Sequence, residues 1–159
     1  KHIIQQLNDL DWRFMRQTVN VILTRDPGEM LPSYARHVLQ PALHDVGYAL
    51  HLELLDYLHS IGQTPPVLDS KQTLLNPRGV LNKLCTQIGI PFDEAMLRWE
   101  AGPRPEDGSW AKFWYDAVHS STGFQQYRRK EEPFPEHLRP LLAECQPYYE
   151  KLAALAIKA

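Results

Sequence analysis

Two side chains eight residues apart, Arg25 and Ser33, carry the clearest chemical signal in the chain. They lie in Val19-Asn-Val-Ile-Leu-Thr-Arg25-Asp-Pro-Gly-Glu-Met-Leu-Pro-Ser33-Tyr34. A β-branched apolar run ends in Arg25, and Asp26-Pro27 then turns the chain into a helical pattern. An arginine delivered at the carboxyl end of a strand, beside a starting helix, suits an anion. The guanidinium offers a fork of donors matched to phosphate. The helix start adds free backbone N–H groups and a favourable dipole. Pro27 fits the first helical position, where its missing N–H costs nothing. The same residues also read as a helix cap with a surface ion pair, and this segment alone leaves both readings open.

Other reactive side chains do not assemble. His37, His44, His51 and His59 are spaced seven, seven and eight residues apart. Seven residues are two helical turns, roughly 10 Å of rise, too far for one ion. A helical metal pair needs His-x-x-x-His spacing. Ser33 and His37 stand four apart on one helical pattern, but no orienting acid or oxyanion loop accompanies them, which argues against a Ser–His hydrolase. Arg128-Arg129-Lys130-Glu131-Glu132 reads as a solvated turn of mixed sign.

The elements that must position Arg25 follow from periodicity. Residues 4–17 carry a near-helical stripe of Ile4, Leu7, Leu10, Phe14 and Met15. Residues 19–24 read as a buried parallel strand, apolar with almost no alternation. A helix is expected over 27–39, broken by Gln40-Pro41, and another over about 46–61, stopped by Gly62. Pro65-Pro66-Val67-Leu68-Asp69 is a short strand, followed by helices over 70–75 and 77–88 with Gly89 as C-cap. Asp93 caps a short helix through Trp99, and Gly102–Gly108 is a loop. Helices over about 109–119 and 136–158 flank a polar stretch. Strand, helices, strand, helices is the order of an α/β domain with a parallel sheet. Two strands are too few for an independent sheet, so a further central strand is expected upstream of Lys1.

Composition bounds the class. A chain of 159 residues is enough for one domain with a real core, and the expectation is a single domain over 1–159. Hydrophobic content of 43% and charged content of 23% are ordinary for a globular protein. A net charge of −2 argues against a general nucleic-acid binder, so any basic site must be local. No run is long enough to cross a bilayer, and no secretory signal is visible. Cys85 and Cys145, isolated in helical patterns, suit a reducing cytoplasm better than a disulfide framework.

The Arg25-to-Ser33 segment resembles the 3′-phosphate-binding motif of the sulfotransferase family. There an Arg-x-Pro turn after a parallel strand is followed, at this spacing, by a serine. The resemblance implies a P-loop NTPase-like α/β fold with a parallel sheet and a helix-rich C-terminal portion. It also implies that the family's N-terminal strand and 5′-phosphosulfate loop are missing here, because no Gly-x-x-x-x-Gly-Lys-Ser/Thr sequence is present. Arg25 and Ser33 become contacts to 3′-phosphoadenosine 5′-phosphosulfate (PAPS). Lys1-His2 looks like the end of the preceding family strand, 23 residues before Arg25. That makes His2 the general base for an acceptor hydroxyl, with a pKa range suited to the task. Lys1 is then a group neutralising the bridging oxygen.

Asp107-Gly108-Ser109-Trp110-Ala111-Lys112 resembles the family's late Arg-Lys-Gly-x-x-Gly-Asp-Trp-Lys segment, which closes over the nucleotide. Gly108, Trp110 and Arg104 are carried over as cofactor contacts, although the Arg-Lys-Gly triplet is absent and Trp110 also fits a helical core stripe. The run from Pro66 through Phe92 matches the family in its architecture. Similar sequences include bacterial and plant members with a Pro-Arg-Pro-Glu-Asp-Gly loop, some fused to aminotransferase-like modules. The implied reaction is an in-line sulfuryl transfer from PAPS to a hydroxyl, or an amine, of a small molecule, without a metal. Tyr34, Trp99 and Trp114 are assigned by residue type to an apolar acceptor pocket. The implied setting is cytoplasmic, with no nucleic-acid or membrane partner, and a homodimer is left open. Two other readings compete: a catalytically inactive sulfotransferase-like nucleotide-binding or interaction domain, and a nucleotide or sugar kinase of related fold.

Overall fold

The computed structural model describes residues 4–7, 10–109, 111–129 and 132–159. Among them, two parallel strands form the sheet: β1 (Ile22–Thr24) and β2 (Val67–Asp69), in the register Ile22↔Val67, Leu23↔Leu68, Thr24↔Asp69. Between the strands run α1 (Pro27–Tyr34), α2 (Leu43–Val46) and α3 (Tyr48–Ser60). After β2 come α4 (Ser70–Leu75), α5 (Pro77–Ile88), α6 (Ala111–Trp114), α7 (Asp116–His119) and the long α8 (Arg139–Leu155).

Local chemistry explains most of these boundaries. Asp26 caps α1 by accepting from the Gly28 N–H at 2.7 Å, and Pro27 follows as the first helical residue. Asp69 ends β2 and caps α4 through the Gln72 N–H at 2.9 Å. Asn76 caps α5 through the Gly79 N–H, and Gly89 closes α5 at φ +74°, with Ile90 N–H returning to the Cys85 carbonyl.

Three expectations are corrected. The stripe over 4–17 is not one helix but two 3-10 turns, Ile4–Leu7 and Trp12–Gln17, linked by the Trp12 indole N–H on the Leu7 carbonyl. The helix from residue 27 ends at Tyr34 rather than 39, as the chain passes into a turn. The final helix stops at Leu155, where the chain straightens and the Ile157 N–H bonds the Val67 carbonyl at 2.9 Å. The C-terminal segment thus lies parallel to β2 through the Val67↔Ala156 bridge. Helical periodicity alone cannot see that pairing, because it satisfies backbone groups across the sheet.

β1 is also less buried than its composition suggests. Ile22 and Thr24 are buried, whereas Leu23 is 51% exposed, so one face of the strand is covered and the other is not. The covered face packs in a cluster of Ile22, Leu55, Val67, Leu152 and Ala156. A second cluster joins Leu31 of α1, Tyr48 of α3, and Leu141 and Cys145 of α8. A third joins Ile4, Leu7 and Met15 to Leu54 and Leu58 of α3. Helices α1, α3 and α8 therefore carry the strand ends between them.

Gly47 is the hinge of this arrangement. It sits at φ +72° between α2 and α3, and a Cβ there would overlap Ile4 Cγ2. Gly47→Ala should lower stability by about 1–2 kcal/mol from the left-handed backbone alone, with the Ile4 collision adding to that. Denaturant unfolding checks it: an unchanged midpoint would exclude both the left-handed strain and the Ile4 collision as costs at this position.

Candidate functional site

Arg25 follows β1 directly, and its backbone is pinned. The Tyr48 hydroxyl, on a side chain 3% exposed, donates to the Arg25 carbonyl at 2.7 Å. The matching tie at β2 comes from α8, where the Tyr149 hydroxyl donates to Asp69 Oδ2 at 3.0 Å. Burial raises both phenols far above their ordinary value, so both remain donors at neutral pH. The carboxyl ends of the two parallel strands are thus held by one tyrosine each. In open α/β sheets ligands bind at that end.

The Arg25 side chain is incompletely used. Its Nε is buried and has no hydrogen-bond partner among the described residues. The Glu29 carboxylate lies 3.7 Å away, an ion pair too long for a hydrogen bond. Glu29 is one helical turn before Ser33, and Arg25 precedes Glu29 by the same interval. The two sequence-predicted contacts therefore flank Glu29, which stands between them.

The expected free N–H groups at the start of α1 are not there. The Gly28 N–H is taken by Asp26 Oδ1, and those of Glu29 and Met30 by the Asp26 carbonyl. Asp26 is a side chain of the right length to cap its own helix, and it does so. The capping half of the alternative reading is what the structure contains, together with a pairing of Arg25 with Glu29 rather than Asp26.

The residue just before the run that the sequence reads as a solvated turn enters the site. The Tyr127 hydroxyl donates to Glu29 Oε1, and Lys71 Nζ lies 5.3 Å from the centre of the Tyr127 ring. Lys71 stands two residues past the end of β2, in the first turn of α4, so Tyr127 joins the helices that follow the two strands. The bond to Glu29 is the first cause raising the Tyr127 hydroxyl above its ordinary value, and the Arg129 guanidinium acts in the opposite direction. Arg128 and Arg129 are exposed and follow this anchor directly. Composition gave no hint of this, because a mixed-sign run is usually a solvated surface; the signal lay in the tyrosine just before it.

The 102–108 loop is closed on itself. The Arg104 guanidinium donates to the Glu100 carbonyl, and its backbone N–H to Asp107 Oδ2 at 2.8 Å. His119 Nε2 meets the same oxygen at 2.8 Å, and the Gly102 N–H bonds the His119 carbonyl. Gly108 is exposed, its carbonyl accepting from the Ala111 N–H. Lys1, His2 and Trp110 lie outside the described residues.

Two cavities border these elements. One, about 710 Å³, lies beside Arg25 and is walled by β1, Met30, Tyr34, Tyr48 and Leu54. The other, about 660 Å³, is bounded by Asn76, Arg78, Arg98, Trp99 and Phe124. Tyr34 and Trp99, grouped by residue type into one acceptor pocket, line different cavities. Trp99 packs edge-on to Phe124 and donates its indole N–H to Ser121 Oγ. No group of three or more metal-ligating side chains is found among the described residues, and none of their helices is long and apolar enough to cross a membrane.

Comparison with known proteins decides the family. The profile of the sulfotransferase domain matches residues 1–156. The chain belongs to the sulfotransferase family. It is also 36% identical over 153 residues to branched-chain-amino-acid aminotransferase-like protein 2 of Arabidopsis thaliana, and 37% identical over the same length to the corresponding protein 1. Each match covers 96% of this chain but 27% of the relative, so this sulfotransferase domain spans about a quarter of their length. No solved structure matches it.

The loop of this sulfotransferase domain carries its own pH dependence. The Asp107 carboxyl is held below its ordinary 3.8, first by the Arg104 N–H and then by His119. A carboxylate favoured in the folded state stabilises it fully above about pH 4 and less as the pH falls through the lowered folded value. The stability difference between wild type and Asp107→Asn should therefore be full at pH 6 and shrink below pH 4. Thermal melts across that range check it; a constant difference would exclude the Asp107 contacts as its source.

Proposed function

We propose that residues 1–159 act as one sulfotransferase domain of P-loop-type fold that moves a sulfuryl group from PAPS to a hydroxyl, or an amine, of a small molecule. The observation that carries this reading is Arg25. It is a guanidinium at the carboxyl end of a parallel strand, with its backbone pinned and its buried Nε without a hydrogen-bond partner among the described residues. A phosphate oxygen fits that atom, since a bidentate guanidinium contact uses Nε together with a terminal nitrogen. Arg25 and Ser33 would hold the 3′-phosphate and set the donor's register. His2 would take the acceptor proton and Lys1 would balance charge on the bridging oxygen, both by the family resemblance. The Glu29 carboxylate would be displaced from Arg25 when the phosphate arrives. Lys71 and Arg129, which flank Tyr127, would add the positive charge that the self-closed 102–108 loop does not direct there.

The second reading is an inactive sulfotransferase-like domain. It is favoured by the occupation of Arg25's surroundings by Glu29 and by the engaged N–H groups at the start of α1.

Thermal unfolding with 3′-phosphoadenosine 5′-phosphate, against 5′-AMP, separates the two. A ligand at about 100 times its Kd stabilises the fold by about 2.7 kcal/mol, a rise of about 5 °C or more in Tm for a chain of this size. The 3′-phosphate compound should give that rise, 5′-AMP should not, Arg25→Ala should abolish it, and Glu29→Gln should reach it at severalfold lower ligand. Equal responses to the two nucleotides would overturn the donor site and favour the inactive reading.

A further inference from the structure

The cavity of about 660 Å³ shares no lining residue with the one beside Arg25. One wall is the junction of α4 and α5, where Leu75 ends α4 and Asn76 caps α5 by accepting from the Gly79 N–H at 3.0 Å. The other is a pair of antiparallel segments, joined by the Arg98↔Gly123 bridge and by the Trp99 N–H on the Thr122 carbonyl at 3.1 Å. Glycine suits position 123, since a Cβ there would come within 3.0 Å of the Leu97 carbonyl oxygen. Trp99 is fixed twice: its indole N–H donates to Ser121 Oγ at 3.1 Å, and its ring meets Phe124 edge-on with centroids 5.4 Å apart. Ser121, 8% exposed, donates in turn to the Val118 carbonyl at 2.7 Å. A pair of rings held in this way is a preformed surface, so little ordering is needed when a ligand arrives.

The charged residues that border this cavity are of one sign. Arg78 and Arg98 line it, and no acidic residue does. Arg78 is paired with Glu94, across exposed side chains. Arg98 makes no ion pair and no side-chain hydrogen bond among the described residues. The apolar part of the wall is Leu75, Leu97, Trp99 and Phe124. The volume lies within the range of small-molecule sites, which combine apolar walls with a few polar groups that fix orientation. An unpaired guanidinium beside an aromatic pair offers both halves of such a site, a donor fork for an acid group and ring surface for a planar body.

We propose that this cavity is a second ligand site, separate from the one at Arg25, and that it binds a small aromatic anion with its ring against Trp99 and Phe124 and its acid group on Arg98. The inference goes beyond the transfer reaction and does not depend on it. A neutral aromatic molecule would leave the Arg98 charge without a counter-ion, and an aromatic cation would meet two guanidiniums. A small inorganic anion would pair with Arg98 but leave the rings and Leu75 uncovered. Only a molecule with both parts uses the whole wall.

Equilibrium dialysis of the full chain with naphthalene-2-sulfonate, methanesulfonate and 2-naphthylmethylamine tests this. The wild type should bind the aromatic sulfonate and neither of the other two comparably. Arg98→Gln should weaken the sulfonate about tenfold, the worth of one hydrogen bond to a charged group. Arg98→Lys, which keeps the charge but loses the fork, should fall between the two. Arg98 is exposed and its side chain holds nothing else among the described residues, so both variants should melt with the wild type. Arg25→Ala, and saturation with 3′-phosphoadenosine 5′-phosphate, should leave sulfonate binding unchanged. Affinity that is unaltered in Arg98→Gln, equal binding of methanesulfonate, or no binding of the aromatic sulfonate overturns the assignment. Displacement by the nucleotide, or loss of binding in Arg25→Ala, also overturns it, because the groove would then belong to the donor site. If the sulfonate binds through Arg98 while the nucleotide fails to stabilise the fold, the second site stands and the transfer reading alone falls.

Discussion

The hydrogen bond from Tyr48 to the Arg25 carbonyl is the constraint on which the site depends. It fixes the backbone where β1 ends and α1 begins, and it ties that point to α3. Because Tyr48 is buried among Leu31, Leu141 and Cys145, the same contact locks the strand end into the main core cluster. A guanidinium carried on a backbone this restricted loses little freedom on meeting a ligand, which is what preorganisation requires. Tyr149 on Asp69 repeats the arrangement at β2. Helix-borne phenols thus hold both strand ends from behind, leaving the front to Arg25, Lys71 and Tyr127.

The front of the site is a balance of charges rather than an open cradle. Asp26 uses the first-turn N–H groups of α1, so helix polarity contributes less there than an uncapped start would. Glu29 sits within ion-pair distance of Arg25 and accepts from Tyr127, joining residues 98 apart in the chain. In the absence of an anion this carboxylate compensates the guanidinium. An incoming phosphate carries more charge and more acceptor oxygens than Glu29, so exchange is physically reasonable, and the displaced Glu29 keeps Tyr127 as a donor.

Much of the fold was legible because its signals are local. Capping side chains such as Asp26, Asp69 and Asn76 act within three residues, and Gly89 ends α5 through its own φ. The strand ending in Arg25 followed from a β-branched run and a proline. The errors are of another kind. The 4–17 stripe looked helical because 3-10 and α periodicities are close over short spans. Residues 156–158 looked like the last turn of a helix because their composition is helical, whereas a free edge of β2 captured them. Arg128 and Arg129 are exposed as their composition suggests, but no local pattern marks Tyr127, just before them, as reaching a distant glutamate.

The sequence by itself determined the family, the place of Arg25 at the end of a strand, the spacing to Ser33, and the side-chain caps that start α1, α4 and α5. Each of these depends on residues within about two turns of one another. Tertiary structure alone decided that Tyr127 reaches Glu29, that Tyr48 and Tyr149 hold the ends of the two strands, and that Thr24 and His51 line one cavity. Those facts arise from contacts between segments tens of residues apart. Which partner a buried polar group finds there is settled by packing rather than by its neighbours in the chain.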